Sequence, residues 1–366
     1  MASGVPKVLM KMAFKTGTAP INWFPGHMAT ATRAIRERLR LIDLVVEVRD
    51  SRIPYTSANE DFQDFLSRKR RLIVFNKADL TNPNLVPKWK DHFEAKGEPI
   101  VFVNAHCKES IKLLFKEIRK GLQNIMDRPT LLIMVVGIPN VGKSAIINGL
   151  HALSHTGFKI HSKPSIFVLD TPGVLVPNIR DLDMGLKLAL TGAIKDSVVG
   201  EERLGRYLLA FLNSRKAPFK WQKSIEAARA REREEKEKKE QVEKAKPKTL
   251  LELKKQAYLA EKRANNPKPE RVSDHNKDHV VLLVREALLN TLSNFDGDLE
   301  GEKDMEALVD IQMHELRRAL KISIELGDKG WEFVGKKLLN LFRVGRLGNF
   351  ALDVLPEDAQ NQIQCA

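Results

Sequence analysis

The sequence predicts an α/β domain, a mostly parallel sheet covered by helices on both faces, leading into a helical C-terminal region. Three observations predict it. Between residues 41 and 170, short apolar, β-branched runs alternate with amphipathic stretches. The runs are nearly continuous in apolar character, as strands buried on both faces must be. After Gly173 the apolar residues recur instead at helical spacing.

Strands are expected in order at "LIDLVVEV" (41–48), "RLIVF" (71–75), "PIVFVNA" (99–105), "LLIMVVG" (131–137) and "SIFVLD" (165–170). Between them, "ANEDFQDFLS", "KWKDHFEA" and "ESIKLLFKEIRKGLQNIM" read as helices. "KSAIINGLHALSH" (143–155) reads as a further helix, and "GFKI-HSK-PSIFVLD" as a hairpin. Beyond the sheet, "DLDMGLKLALTGAI" and "GEERLGRYLLAFLN" (200–213) are helical. Residues 221–264, dense in Lys, Arg, Glu and Ala, read as a solvated helix or disorder and not as core. Apolar periodicity returns from 279 in "HVVLLVREALLNTL", "ALVDIQMHELRRALKISIEL" and "WEFVGKKLLNLFRVG". The expected organisation is a basic N-terminal segment (1–20) with the character of a targeting peptide, a sheet domain (21–178), a first helical part (179–214), a charged basic insert (215–275) and a helical C-terminal region (276–366).

The chain has 366 residues, 43% of them hydrophobic, enough for two or three domains with cores of their own. Its net charge of +14 is concentrated: residues 1–40 hold seven Lys/Arg against Glu37 alone, and residues 215–275 hold 19 against 11 acids. Such segments suggest a polyanionic partner, RNA foremost, with solvated tails as the plain alternative. Residues 221–272 carry only Trp221 and Tyr258 as aromatics, so contact would run through phosphates and not base stacking. Cys107 and Cys365, far apart, argue against a disulfide scaffold and fit a reducing compartment. No apolar run approaches the ~20 residues needed to cross a bilayer. A soluble, monomeric protein is expected, with peripheral membrane association left open.

"GIPNVGKS" (137–144) fits G-x-x-x-x-G-K-[S/T]. In that pattern consecutive backbone N–H groups curl around phosphates, and glycine is needed where the chain turns tightly. Lys143 would meet the β/γ-phosphates, Ser144 would bind Mg2+, and the helix that follows would set its positive end on the anion. "NKAD" (76–79) leaves the strand "RLIVF"; the Asp79 carboxylate can accept both N1–H and the exocyclic amine of guanine, which adenine does not offer together. Asn76 and Lys77 would hold that loop. "DTPG" (170–173) ends the strand "SIFVLD": Asp170 can hold Mg2+ through water, and the Gly173 N–H can meet a γ-phosphate. "VNAHC" (103–107) would offer the Ala105 N–H to guanine O6. Each motif closes a predicted strand, where open α/β sheets bind ligands. The base-reading loop precedes the phosphate cradle, the reverse of the usual order. A fold keeps its spatial arrangement when its termini are moved, provided the original ends lie close together. The sequence therefore predicts a circularly permuted P-loop G domain that binds GTP and GDP.

That order, with "WFPGHM" (23–28) upstream and "RDSRIP" (49–54) after it, resembles the circularly permuted GTPases of the YlqF/RbgA type, which act in assembly of the large ribosomal subunit. "RDSRIP" matches that family's Asp-Ala-Arg signature with Ser51 in place of alanine. The mitochondrial branch, including plant DAR GTPases, is most similar, and "FRVGRLGNFALD" (342–353) looks like its closing segment. The resemblance implies a mitochondrial GTPase, in the matrix or at the inner-membrane periphery, with cytoplasmic residence as the lesser alternative. Its implied partners are rRNA and proteins of the large ribosomal subunit. It assigns guanine contacts to Asn76, Lys77 and Asp79, and nucleotide contacts to Pro139, Asn140, Val141, Gly142, Lys143, Ser144 and Ala145. Lys143 and Gly173 are the implied catalytic positions. Asn140 matches the asparagine that accompanies K+-stimulated hydrolysis, and Val174 stands where many GTPases have a water-orienting glutamine. Hydrolysis should then be slow unless the ribosome or K+ completes the site.

One departure matters. Only 25 residues separate Ser144 from Asp170, whereas relatives place here a longer segment whose threonine contacts Mg2+ and the γ-phosphate. Thr156 is the nearby substitute. Either an exon is missing or the switch is abbreviated; both imply surviving guanine-nucleotide binding with weakened hydrolysis and Mg2+ affinity. A non-hydrolysing, nucleotide-gated RNA-binding scaffold is the alternative reading.

Overall fold

Strands β1 (Leu44–Asp50), β2 (Arg71–Asn76), β3 (Ile100–Phe102), β4 (Thr130–Val136), β5 (Lys159–Ser162) and β6 (Ser165–Asp170) form one sheet in the order β3-β2-β1-β4-β6-β5. The computed structural model describes residues 27–58, 66, 69–154, 159–162, 164–174, 182–244 and 279–356. All pairings are parallel except the β5–β6 hairpin. The chain steps outward from β1 to β2 to β3, then returns to start β4 on the other side of β1. Strand order thus reverses between β1 and β4, the kind of switch point where doubly wound sheets open a ligand crevice at their carboxyl ends.

The helices around the sheet are α1 (His27–Arg38), α2 (Val86–Ala95), α3 (Lys108–Leu122) and α4 (Lys143–Ser154). Trp89 and Phe93 of α2 pack with Ile73 and Phe75 of β2 and with Leu355. On the opposite face α3 packs at Gly121 beside the Leu44 side chain of β1. Helices on both faces explain why every residue of β1 is buried. β1 runs two residues beyond the apolar stretch, because its charges are matched. Arg49 donates to Glu47 at 2.7 Å, and Arg71 reaches Glu47 at 3.3 Å and also pairs with Glu98. A buried charge is tolerated only when paired in this way.

The remaining helices are α5 (Leu182–Leu190), α6 (Asp196–Val199), α7 (Glu201–Ser214), α8 (Gln222–Lys244), α9 (His279–Ser293), α10 (Glu302–Ala319) and α11 (Gly327–Arg343). The chain divides into two compact units, Met1–Leu208 with Gly335–Ala366, and Leu209–Val334. The second has its own core, in which Leu282, Leu288, Leu308 and Met313 are buried. Asn213 and Gln312 there exchange reciprocal amide hydrogen bonds at 2.9 and 3.0 Å. The start of α8 departs from the solvated helix expected of 221–264: Trp221, Ile225 and Ala228 are buried. Their spacing of four and three residues makes one apolar stripe, and Arg285 lies over the Trp221 ring. The basic segment 1–20, most of "ANEDFQDFLS", Thr156 and residues 245–275 lie outside the described residues.

Gly205 of α7 and Gly335 of α11 touch, and a Cβ on Gly335 would lie 2.2 Å from the Glu201 carbonyl oxygen. Backbone at that distance has no flexible end to swing away. Gly335→Ala is therefore expected to cost about 1–3 kcal/mol and lower Tm by several degrees; a calorimetric Tm equal to wild type would refute this close approach.

Candidate functional site

The loop between β4 and α4 is shaped by its glycines. Gly137 and Gly142 have φ of 150° and 93°, in the region that side chains rarely adopt. A Cβ at Gly137 would lie 2.3 Å from the Val48 carbonyl oxygen, and one at Gly142 2.2 Å from Asn76 Nδ2. Lys143 folds back inside the loop, donating from Nζ to the carbonyls of Gly137 at 3.2 Å and Ile138 at 2.9 Å. Burial pushes its ammonium down to about 8, with Asp170 opposing the shift. Gly173 sits on this loop: a Cβ there would be 2.7 Å from Pro139 Cα and 3.0 Å from Lys143 Nζ. Thr171 Oγ1 donates to the Val135 carbonyl at 2.6 Å, and Val174 N–H to the Gly137 carbonyl at 3.3 Å.

The loop after β2 is stitched to its neighbours by side chains. Asn76 Nδ2 donates to the Val141 carbonyl at 2.8 Å, while its Oδ1 accepts from Ala105 N–H at 3.1 Å. The "VNAHC" loop therefore spends its Ala105 N–H on Asn76. Lys77, in the left-handed region with φ of 60°, donates to the Asn140 carbonyl at 2.7 Å. Asp79 follows in a single 3-10 turn, Ala78–Leu80, and its side chain is exposed at the rim.

Beneath this loop lies "DSR" (50–52), which sequence reasoning recognised only as a signature. Asp50 is fully buried: its Oδ1 accepts from Arg52 Nε at 2.9 Å, and its Oδ2 accepts from a terminal Arg52 nitrogen at 2.7 Å and lies 3.0 Å from Lys77 Nζ. Burial opposes the charge, but Arg52 and Lys77 overcome it and hold the carboxyl well below the usual carboxylate range. Ser51 donates from Oγ to the Lys77 carbonyl at 2.8 Å and from its N–H to the Asn76 carbonyl at 2.9 Å. The hydroxyl that departs from the alanine signature thus has a partner.

Two cavities meet at Pro139 and Asn140. The larger, about 1210 Å³, is lined by Asn76, Lys77, Asp79, Gly142 and Ala145 among others. The smaller, about 500 Å³, is lined by Lys143, Ser144, Asp170 and Gly173. Ser144 and Asp170 both expose oxygen donors there, the hard-ligand chemistry that suits Mg2+. Val141 is buried and contributes its carbonyl, and Thr156 is outside the described residues.

One wall was not foreseen. Residues 191–198 line the larger cavity, whereas the sequence pattern continues the helix through "TGAI". The helix α5 stops at Leu190 in a Schellman cap: Ala193 N–H reaches the Leu188 carbonyl at 2.8 Å and Gly192, with φ of 83°, the Ala189 carbonyl at 3.0 Å. Gly192 was the available signal. Its carbonyl accepts from Asn140 Nδ2 at 2.6 Å, tying this wall to the phosphate-type loop.

Two proteins of Arabidopsis thaliana are similar along nearly the whole chain. Short integuments 2, mitochondrial, is 44% identical over 372 residues, 94% of this chain and 92% of the relative. DAR GTPase 2, mitochondrial, is 35% identical over 90% of each. Ribosome biogenesis GTPase A of Bacillus cereus is 38% identical over 52% of this chain and 71% of its own length. No family model matches.

Asp50→Asn removes the negative charge between Arg52 and Lys77 and should cost about 3–5 kcal/mol in urea unfolding at neutral pH. Because the folded carboxyl titrates below its ordinary value of 3.8, its contribution is complete above that pH and is lost below it. The gap between wild type and variant should therefore narrow below about pH 4; a gap independent of pH would contradict the ion-pair account.

Proposed function

The chain belongs to the circularly permuted GTPases of the YlqF/RbgA type, and we propose that it works as an assembly factor of the large ribosomal subunit, its nucleotide state governing contact with rRNA and ribosomal proteins. It is a GTPase of the mitochondrial branch and hydrolyses GTP to GDP and phosphate. The observation that supports the site assignment best is Asn76, whose one amide joins the loops after β2, β3 and β4.

In this reading Asp79 accepts from N1–H and the exocyclic amine of guanine, and Ala105 borders the base. Residues Pro139 to Ala145 surround the phosphates with backbone N–H groups. Lys143 exchanges the carbonyls of Gly137 and Ile138 for phosphate oxygens. Ser144 and Asp170 would hold Mg2+, which would neutralise charge on the β/γ-phosphates. Asn140 spends Nδ2 on Gly192, so its Oδ1 would be the atom available to a K+ ion. The Gly173 N–H meets the γ-phosphate. Val174, apolar and buried, has no group to orient the attacking water, so turnover is slow until the ribosome or K+ supplies one. The basic residues of 215–275 meet the RNA backbone.

Asp79→Asn tests the base assignment. It should lower GDP affinity about 100-fold or more and raise affinity for xanthosine diphosphate, since the amide donates where the carboxylate accepted. Equilibrium titration showing unaltered preference would refute it. A second outcome follows from Lys143, which in the free protein loses its proton near pH 8, while bound phosphates favour the ammonium. Binding therefore takes up a proton above that pH. GDP affinity should be level between about pH 7 and 8, above the terminal phosphate's own titration at about 6, and fall above pH 8 by up to about tenfold per pH unit. Lys143→Met should abolish the inflection; its persistence would assign it elsewhere.

A further inference from the structure

The closing segment "FRVGRLGNFALD" was singled out by resemblance alone, and nothing in the GTPase reading gives it a task. The structure supplies a set of contacts. α11 ends in a Schellman cap at Gly345, with φ of 75°: Arg346 N–H reaches the Leu341 carbonyl at 2.9 Å and Gly345 N–H the Phe342 carbonyl at 3.0 Å. The cap turns the chain back along the carboxyl edge of the sheet. Asn349 Nδ2 then donates to the Asp79 carbonyl at 2.9 Å. Leu352 N–H donates to the Arg52 carbonyl at 2.8 Å. Asp353 accepts from the N–H groups of Tyr55 and Thr56, both at 2.9 Å, and from Thr56 Oγ1 at 2.7 Å. Leu355 buries itself in the cluster of Ile73, Phe75, Trp89 and Phe93.

We propose that residues 344–355 complete the nucleotide site, with Asn349 as the positioning residue for the guanine reader Asp79. The proposal rests on the reading of Asp79 given above. A bidentate contact to a planar base needs both carboxylate oxygens within a few tenths of an ångström of their places. Asp79 lies in one 3-10 turn and its side chain is exposed, so packing does not fix it. Leu80 N–H to the Lys77 carbonyl and Ala78 N–H to the Val103 carbonyl hold the residues on either side. The Asp79 carbonyl itself is held from the far end of the chain. Gly345 supports the same turn, since a Cβ there would come within 2.9 Å of the Leu80 side chain. The inference is therefore about base recognition, not the phosphates, whose loop Asn349 does not touch.

The test is a double-mutant cycle on the full chain, read as affinity for GDP and for inosine diphosphate, which lacks the exocyclic amine. Asn349→Ala should lower GDP affinity about fivefold or more and narrow the ratio between the two nucleotides. In an Asp79→Ala background the same substitution should cost nothing further, because the group it positions is gone. Asn349→Asp, with no donor and an added negative charge, should be worse than Asn349→Ala. The proposal is overturned by GDP affinity within twofold of wild type, by equal losses for both nucleotides, or by an equal loss in the Asp79→Ala background, which would indicate general loosening. A failure of Asp79→Asn to gain xanthosine diphosphate would instead remove the reading beneath it, so the two failures are distinct.

Discussion

The side-chain amide of Asn76 is both donor and acceptor in the same place, and the site depends on that. Its nitrogen holds the Val141 carbonyl and its oxygen holds the Ala105 N–H. Gly142 leaves room for it, since any Cβ there would overlap Nδ2. Neither aspartate nor a hydroxyl residue can replace it, because the first lacks the donor and the second lacks the reach. Three loops that are remote in sequence are thereby fixed to one another, and Lys77 adds a third tie through the Asn140 carbonyl. The DSR triplet supports these ties from below: a buried carboxylate between two cations is expensive to break, so Lys77 keeps its unusual backbone conformation.

None of these bonds depends on the order in which the chain visits the strands, which is why a permuted sheet can hold them. The connection that makes the permutation practicable is α3. It must carry the chain from the carboxyl end of edge strand β3 back to the amino end of β4. Its 15 residues span about 22 Å at ~1.5 Å per residue, close to the length of the seven-residue strand it returns along. At its last turn it lies against Leu44 through Gly121.

Where the sequence was legible, the physics was local. Apolar runs announced the strands, glycine spacing announced the phosphate-type loop, and nearly continuous apolar strands separated by amphipathic helices announced the parallel sheet. β1 was read short at its carboxyl end because Arg49 and Asp50 are charged, and only the partners reveal why they are buried. Thr191–Ile194 was read as helix because its apolar residues continue the period, although Gly192 ends it. Ile225 and Ala228 were read as solvent-facing because charge dominates their neighbourhood, although the small apolar stripe is present. The support of Asp79 by Asn349 was not legible at all. A hydrogen bond across 270 positions leaves no periodicity, spacing or compositional trace.

The closing segment also reaches the other end of the site. Lys187 of α5 is buried between Asp183 and Asp353, at 2.8 and 3.4 Å. Burial opposes its charge, yet the two carboxylates raise its pKa. Arg343 meanwhile donates to the carbonyls of Leu190 at 2.9 Å and Ala189 at 2.7 Å, and pairs with Asp196 at 2.6 Å. The segment that holds the Asp79 carbonyl thus also grips the helix downstream of "DTPG" and the wall that holds Asn140. A buried ion pair resists partial opening, because a half-exposed charge loses its partner before it regains water. The grip on α5 therefore tends to be kept whole or lost whole. Any partner able to pull α5 away would act on Asp353, whose other bonds run to Tyr55 and Thr56 beside the DSR triplet. Anchoring both regions through one carboxylate ties α5 to the residues beside the DSR triplet, a constraint that arises from the closing segment and not from the motifs.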